Sequence, residues 1–458
     1  MAQKRKNDGE LPESSSCKKQ KTKGNTNFII SAAAAIFFPL FSFITNNNFL
    51  LKLGKKTQPS IHHLDVDDSV TLRFPEEILV NILSRLPVRS LVRFKCVSKV
   101  WTTMISDPYF TKKHLNRASA RNDQDSQKLL IYQWDPKDSN FSSLYCCPLS
   151  PVQQVKDVQK LKLDCPSTLK PRKILIHCCY DGLAIIEICD KDGVNFLLWN
   201  PSIRESIVLP PLGCPGDGRS RFGLGYDSSS DEYKIIHMHQ NREGPYCPNE
   251  ILALKDGSWR NIDEHPRAIR CWFHASDSLP FIHAAFHWIQ VSRNYFVVIS
   301  FDISNGVYGE IPFSDEILIL KAGPDSVGLS VLEGMLCVYS NLFFTANSTF
   351  VVWVLKEYGV KESWMALIVV KDTPYVYAAP RHRFADGEVL FWCLNRETRR
   401  HAFRMVSRSF RSWPRWVTRG HTSWMVSRPF KSWPRCDTIQ GGHAFTESLI
   451  SPKSLTYS

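Results

Sequence analysis

Two stripes of apolar residues with a helical period lie between residues 75 and 106. Pro75 suits the first position of a helix, where its missing N–H is not needed. The first stripe comprises Ile78, Leu79, Ile82, Leu83 and Leu86. The second comprises Val97, Val100, Trp101, Met104 and Ile105. Because Pro87 stops the first stripe and Asp107-Pro108 the second, the pattern predicts two amphipathic helices that form a compact hairpin.

The helical segment, residues 69–116, is too short to bury this many large apolar side chains internally. Part of its apolar surface is then either half of an interface or covered by the next domain. The alternative is a small helical domain with its own core. The pattern by itself leaves both interpretations open.

A different pattern extends from residue 128 to residue 400. Short apolar runs rich in Val, Ile, Phe, Tyr and Trp alternate with turns of Gly, Asp, Asn and Pro, and no long helical period interrupts them. We therefore predict a small helical domain followed by a separate all-β domain. So many regularly spaced strands fit a β-propeller, which protects its edges by radial repetition, better than a single sandwich. The number of blades is not determined by the pattern.

The helical segment closely resembles the F-box in its plant form. The resemblance rests on three runs, Leu86–Leu91, Cys96–Trp101 and Ile105–Phe110. Phe74 stands where the family usually has Leu, which keeps an apolar anchor. The resemblance implies docking onto a Skp-type adaptor, and through it onto a cullin. The residues expected to bind the adaptor are Phe74, Pro75, Ile78, Ile82, Leu86, Pro87, Leu91, Val97 and Trp101.

The β-domain is similar to the kelch-like F-box-associated domain of plant F-box proteins. Cys178–Asp181 departs from the family pattern, which more often has Ser-Cys-Asn before its Gly-Leu pair. Most of the shared motifs have turn chemistry or large aromatic anchors, so we expect them to be structural. Nine motifs match in order: Gly182-Leu183, Trp199–Ser202, Phe222–Asp227, Asp231–Lys234, Gly257–Arg260, His287-Trp288, Ser300–Asp302, Gly309–Pro312 and Tyr358–Trp364.

The net charge of +13 is concentrated at the two ends of the chain. Residues 1–60 hold ten Lys/Arg against three Asp/Glu, and residues 401–458 hold nine against two, so the middle is almost neutral. We therefore do not expect the folded part to bind nucleic acid through a general electrostatic attraction to its phosphates. We expect residues 1–68 to form a disordered extension whose two basic clusters resemble a nuclear-import signal. Its apolar stretch 28–45 is a poor membrane span, interrupted by Pro39.

The C-terminal residues 401–458 form a basic Arg/Trp tail with a duplicated segment. Met405–Arg415 recurs as Met425–Arg435, with basic and aromatic residues interleaved as in proteins that stack bases. His401-Ala402-Phe403 also reappears as residues 443–445. Joining the first copy directly to Thr446 gives an ending that resembles the family's usual one. Our hypothesis is that 404–445, and likewise 24–58, are insertions or retained non-coding sequence outside the fold.

The sequence contains no convincing catalytic or metal site. Residues 213–220 miss a P-loop by one residue and lead into no helix. The pairs His237/His239 and His283/His287 have no carboxylate or thiol in suitable register, so we interpret them as core or surface histidines. The fourteen cysteines are dispersed without any C-x-x-C, which indicates reduced thiols in the cytoplasm or nucleus. No cofactor or metal is expected.

The resemblance implies a non-catalytic receptor subunit of a ubiquitin ligase that holds an unknown protein substrate with its β-domain. Two alternatives remain open. One is a β-propeller binding protein or enzyme unrelated to ubiquitin, and the other is nucleic-acid binding through the Arg/Trp tail.

Overall fold

The fold was determined from a computed structural model. The described residues are 76–120, 126–134, 140–149, 161–166, 171–213, 220–239, 248–263, 278–292, 295–319, 327–342, 349–370, 375–395, 401–406, 424–426, 431–432 and 439–456. The predicted disordered extension, residues 1–68, and the hypothetical insertion 24–58 lie outside this set.

The described N-terminal residues, 76–120, form four consecutive helices: α1 (Glu76–Leu83), α2 (Val88–Lys95), α3 (Lys99–Ser106) and α4 (Pro108–Ala120). Their starts follow from local chemistry. Two glutamates occupy the first turn of α1, where their negative charges interact favourably with the positive end of the helix dipole. Ser98 caps α3 by accepting a hydrogen bond from the Trp101 N–H at 3.3 Å. Asp107 does the same for α4, because its Oδ1 accepts from the N–H groups of Tyr109 and Phe110 at 2.8 and 3.3 Å. Two of these helices, α2 and α4, were not predicted.

The described strands form six sheets, in which neighbouring strands are antiparallel except for one parallel pair in the fifth sheet. Blade 1 contains β1 (Gln127–Trp134), β2 (Ser142–Pro148), β3 (Leu161–Leu163) and, from the far end of the chain, β25 (Ile439–Thr446). Blade 2 contains β4 (Lys173–Tyr180), β5 (Leu183–Cys189), β6 (Val194–Asn200) and β7 (Glu205–Val208). Blade 3 contains β8 (Ser220–Asp227), β9 (Glu232–His239), β10 (Glu250–Ala253) and β11 (Trp259–Asn261).

Blade 4 contains β12 (Phe281–Ile282), β13 (Ala285–Ser292), β14 (Tyr295–Asp302) and β15 (Tyr308–Pro312), followed by the short helix α5 (Asp315–Ile319). Blade 5 contains β16 (Val327–Leu332), β17 (Met335–Leu342), β18 (Thr349–Leu355), β19 (Trp364–Val370) and β23 (Trp424–Val426). Blade 6 contains β20 (Tyr375–Arg383), β21 (Val389–Asn395), β22 (His401–Val406) and β24 (Lys431–Ser432). Short 3₁₀ helices span Lys361–Ser363 and Pro452–Leu455.

The six sheets are arranged as a ring, so they are the blades of a β-propeller. Separate apolar clusters join blades 1 and 2, 2 and 3, 3 and 4, and 4 and 5, and one further cluster joins blades 5, 6 and 1. The ring is closed within blade 1, where β25 pairs with β1 from Gln127↔Thr446 to Gln133↔Ile439. The predicted propeller architecture is therefore confirmed, and the described strands supply the count of six that the sequence left open.

The closure corrects the predicted domain boundary at residue 400. Strands of blades 1, 5 and 6 come from the segment that we assigned to a tail, and the hypothesis that 404–445 lies outside the fold is contradicted for the described residues of that segment. Both copies of His-Ala-Phe are used, the first in β22 of blade 6 and the second in β25 of blade 1. Sequence reasoning failed here because the closing strand pairs with a partner about 300 residues away along the chain.

The shared aromatic motifs tie neighbouring blades together. The indole N–H of Trp259, at the start of β11, donates to the carbonyl of Pro210 beyond β7 at 3.0 Å. The indole N–H of Trp364, at the start of β19, donates in the same way to Pro312 of β15 at 3.1 Å. Blade 3 is thus fastened to blade 2, and blade 5 to blade 4. This role agrees with the expectation that the motifs are structural.

Candidate functional site

The four N-terminal helices bury one set of apolar side chains among themselves. This cluster, which we call the helical core, contains Val80, Leu83, Val88, Leu91, Ile105 and Phe110, together with Leu449 from the C-terminal end of the chain. Leu86, Trp101 and Ile203 pack against it while remaining partly accessible. The helices therefore have a core, but it is not made by these helices alone.

A second set of apolar side chains on the same helices faces outward. Ile78 and Ile82 on α1 are 44% and 43% exposed, and Val100 at the start of α3 is 51% exposed. Together with Val97 and Tyr109 they define what we call the F-box surface. Single exposed apolar residues are ordinary, but five within one short helical segment indicate a surface suited to contact with another molecule.

An open groove of about 730 Å³ lies between α1, α3 and the first turn of α4. Its apolar wall includes Leu79, Met104 and Phe110, and two residues of the F-box surface, Val100 and Tyr109, line it as well. Charged residues stand at the groove as Glu76, Lys99 and Asp107. An apolar groove with charged residues beside it suits a helix or loop of a partner protein.

The structure separates the residues that we predicted to bind the adaptor into different environments. Ile78, Ile82, Pro87 and Val97 are exposed, whereas Leu86 and Trp101 are half-buried against the helical core. Phe74 and Pro75 lie outside the described residues.

Leu91 differs from the prediction because it is fully buried in the helical core. Its side chain therefore lies beneath the exposed apolar side chains and is not one of them. Two exposed residues were missing from the predicted set, Val100 and Tyr109. Val100 lies in a predicted stripe, and only knowledge of how α3 is rotated would have placed it outside.

The helices are attached to one end of the propeller. Lys112 on α4 donates a hydrogen bond to the Tyr226 hydroxyl at 2.8 Å and lies 3.7 Å from the Asp231 carboxylate. Ile203, between β6 and β7, packs against the helical core. Partial burial lowers the pKa of Lys95 at the end of α2, and the nearby carboxylate of Glu205 opposes this shift. These contacts fix which end of the blades faces the helices.

Both ends of the propeller carry short and longer connections. In an antiparallel blade, successive connections alternate between the two ends. The helix-side end receives tight turns with left-handed residues, such as Asp181-Gly182 and Glu333-Gly334, and also the longer connection between β18 and β19. The opposite end receives the turn at 190–193 in blade 2 and the connection that contains α5. Connections of this kind are the usual place for variable binding residues.

Two His–Glu pairs lie in the interior of blades 2 and 3. His177 Nε2 lies 3.0 Å from Glu187 Oε2, and His237 Nδ1 lies 3.4 Å from Glu250 Oε2. The expectation that His237 has no suitably placed carboxylate is therefore wrong, because β9 and β10 align the two residues directly. Burial lowers the pKa of His177, although its hydrogen bond with Glu187 opposes the shift. Both pairs are buried, which favours a structural role.

Tyr358 of blade 5 contacts both members of the second histidine pair, His283 and His287. The Tyr358 hydroxyl lies 2.6 Å from His287 Nε2, and its ring lies 4.3 Å from the ring of His283. Burial lowers the pKa of His287 to about 4, so the ring is neutral at physiological pH. His283 and His287 thus join blades 4 and 5; His287 is buried and His283 is exposed, in keeping with the interpretation as core or surface histidines.

Within the described ranges, no cluster of three or more His, Cys, Asp or Glu side chains could hold a metal ion. Among the same residues, no helix has both the length and the apolar character needed to cross a membrane. All nine cysteines in the described part of the chain are free thiols. Most of the basic Arg/Trp tail lies outside the described residues, so its proposed affinity for nucleic acid stays a prediction.

Comparison with known proteins gives a consistent result for both parts of the chain. The model of the F-box domain matches residues 71–113, and the model of the F-box associated beta propeller domain matches residues 135–395. F-box protein CPR1 of Arabidopsis thaliana is 27% identical over 325 residues, covering 65% of this chain and 73% of the relative. The F-box/kelch-repeat protein At3g23880 of the same plant is 26% identical over 303 residues, covering 65% and 79%.

Proposed function

Because this chain belongs to the family of F-box proteins that carry an F-box associated β-propeller domain, we propose that it is the substrate-recognition subunit of a Skp–cullin–F-box ubiquitin ligase. The observation that carries the proposal is the F-box surface, where Ile78, Ile82 and Val100 remain exposed although the helices already have a core. A Skp-type adaptor would cover this surface and the adjoining groove. The cullin would be recruited through the adaptor.

The propeller would hold the protein to be ubiquitinated. We assign substrate binding to the end that lies opposite the helices, because the F-box helices already pack against the other end through Lys112 and Ile203. The receptor itself would be non-catalytic. It would raise the effective concentration of the substrate's lysines near the charged enzyme that the cullin brings. We place this activity in the nucleus or cytoplasm, as expected from the dispersed cysteines and the basic N-terminal clusters.

The docking proposal is tested by placing a charge on the F-box surface. Ile82→Asp in the full chain should weaken binding to a purified Skp-type adaptor by at least about tenfold in calorimetry, because a carboxylate would be desolvated in an apolar interface. Val208→Asp is the matched control, since Val208 is also an exposed apolar residue but lies on the outermost strand of blade 2. Equal affinity of Ile82→Asp and the unmodified chain would reject docking through this surface.

A further inference from the structure

The helical core is completed by a residue from the opposite end of the sequence. Leu449 follows the closure strand β25 and is only 2% exposed, packed with Leu83, Leu91 and Ile105 of the F-box helices. The helices span residues 76–120, which is a small number for an independent core. Without Leu449, that core would lose one of its fully buried side chains.

The segment that carries Leu449 is fixed firmly to blade 2. The side-chain amide of Asn200 donates to the carbonyl of Ser448 at 3.1 Å, to its hydroxyl at 3.1 Å and to the carbonyl of Ile450 at 2.8 Å. Gly182 passes so close that a Cβ there would lie 2.3 Å from the Ser448 hydroxyl, and its φ of +78° is one that glycine adopts without strain. Asn200 is fully buried, so these hydrogen bonds do not compete with water.

Neighbouring residues of this segment point into different cores. Leu449 enters the helical core, whereas Ile450 enters the apolar cluster between blades 2 and 3. The helices also contribute to the propeller, because Leu115 of α4 lies in that same propeller cluster. Each domain therefore places a buried side chain in the core of the other.

We propose that the C-terminal segment Glu447–Leu455 is a positioning element of the F-box, with Leu449 as the residue through which it acts. Leu449 reaches the helices only when β25 has closed blade 1 and Asn200 has bound the segment that follows. Docking on the adaptor is therefore coupled to closure of the propeller, and a receptor with an open ring presents a loosened F-box surface. This inference rests on the proposed function and specifies how the same site is controlled.

Adaptor affinity and amide hydrogen exchange in the full chain test the coupling. Leu449→Ala should weaken adaptor binding at least about tenfold and speed exchange in α1 to α3, because truncating a buried leucine leaves a cavity beneath the F-box surface. Leu449→Met, which preserves volume, should restore both. Ile450→Ala is the matched control: it should destabilise the propeller yet leave adaptor affinity within about threefold of the unmodified chain.

A variant in blade 2 tests whether the attachment of the C-terminal segment controls the F-box helices. Asn200→Ala removes the hydrogen bonds to the segment without touching any F-box helix, and it should speed exchange in α1 to α3 and weaken adaptor binding. Unchanged affinity and exchange in both Leu449→Ala and Asn200→Ala would overturn the inference. Equal losses in Leu449→Ala and Ile450→Ala would also overturn it, since general destabilisation would then explain them.

The two proposals fail separately. If the unmodified chain binds no Skp-type adaptor, the proposed function fails, but faster exchange of α1 to α3 in Leu449→Ala and not in Ile450→Ala would still support the coupling. If the unmodified chain binds the adaptor and the exchange pattern of Leu449→Ala matches that of Ile450→Ala, the proposed function stands and the coupling is rejected. Where Leu449→Ala yields too little folded protein, the milder truncation Leu449→Val, with the same expected direction, decides between these outcomes.

Discussion

The F-box helices and the tryptophans of the propeller motifs place their apolar side chains differently. On the helices, Ile78, Ile82 and Val100 remain exposed, whereas Trp199 and Trp364 in the propeller motifs are only 2% and 5% exposed. The buried side-chain amide of Asn200 in the propeller is satisfied internally, since it donates to the carbonyl of Ile450 at 2.8 Å. A motif in the helices therefore indicates a missing partner, while a motif in the propeller indicates how the chain packs against itself.

The largest effect on stability should come from a buried polar centre of the propeller. The Asp227 carboxylate accepts hydrogen bonds from Ser229, Ser230 and Ser304 and lies 2.7 Å from Lys234 Nζ. Burial alone would raise the pKa of Asp227, but the hydrogen bonds from Lys234, Ser229 and Ser230 outweigh it and hold the pKa far below its usual value.

Asp227→Ala should lower the free energy of unfolding by about 3–5 kcal/mol, because it leaves Lys234 half-buried without its counter-ion. Urea denaturation followed by tryptophan fluorescence measures this loss. Asp256→Ala, which removes an exposed ion pair with Arg260, should change the free energy by less than about 0.5 kcal/mol. A comparable small change in both variants would contradict the contrast between the two kinds of site.

A smaller effect, of opposite sign, is expected at Asp181. Burial raises the pKa of Asp181 to about 6, and the hydrogen bond from the Tyr233 hydroxyl at 3.0 Å opposes this shift. The folded state thus binds the proton more tightly than the unfolded state, where the pKa is about 3.9. This contribution to stability is fully present below about pH 4 and is lost as the pH rises through about 6.

Asp181→Asn should therefore stabilise the protein by about 1–3 kcal/mol at pH 7 and have little effect at pH 4. Asn also tolerates the φ of +51° at this turn. The measurement is the difference in unfolding free energy between variant and unmodified protein across pH 4 to 7. Asp164→Asn, at an exposed ion pair with Arg204, should show no such pH-dependent difference.

The smallest effect on stability is expected on the F-box surface. Ile82→Ser should change the free energy of unfolding by no more than about 0.5 kcal/mol, because a side chain that is 43% exposed gains little from folding. The same change should lower adaptor affinity, so stability and binding would separate. Chemical denaturation and calorimetry on one preparation measure both. A loss of stability as large as that of Asp227→Ala would show that Ile82 belongs to the core.

Particular residues show how far sequence reasoning reached. The 3.6-residue period placed Ile78 and Ile82 on one helix, and the alternation of short apolar runs with turn residues predicted the all-β domain. The resemblance to the F-box placed Leu91 among the adaptor-binding residues, although it is buried in the helical core. Periodicity defines the apolar stripe of a helix, but the rotation of that helix against its neighbours decides which part of the stripe is covered.

Local sequence patterns were enough to predict the order of helices before strands, the turn chemistry of the blades, and the excess of apolar residues on a short helical segment. Those features depend on contacts between residues a few positions apart, which local patterns record. The three-dimensional fold was needed to show that β25 closes blade 1 and that Leu449 completes the core of helices more than 300 residues earlier. Such pairings depend on which distant strands meet when the ring closes, and no local period encodes that choice.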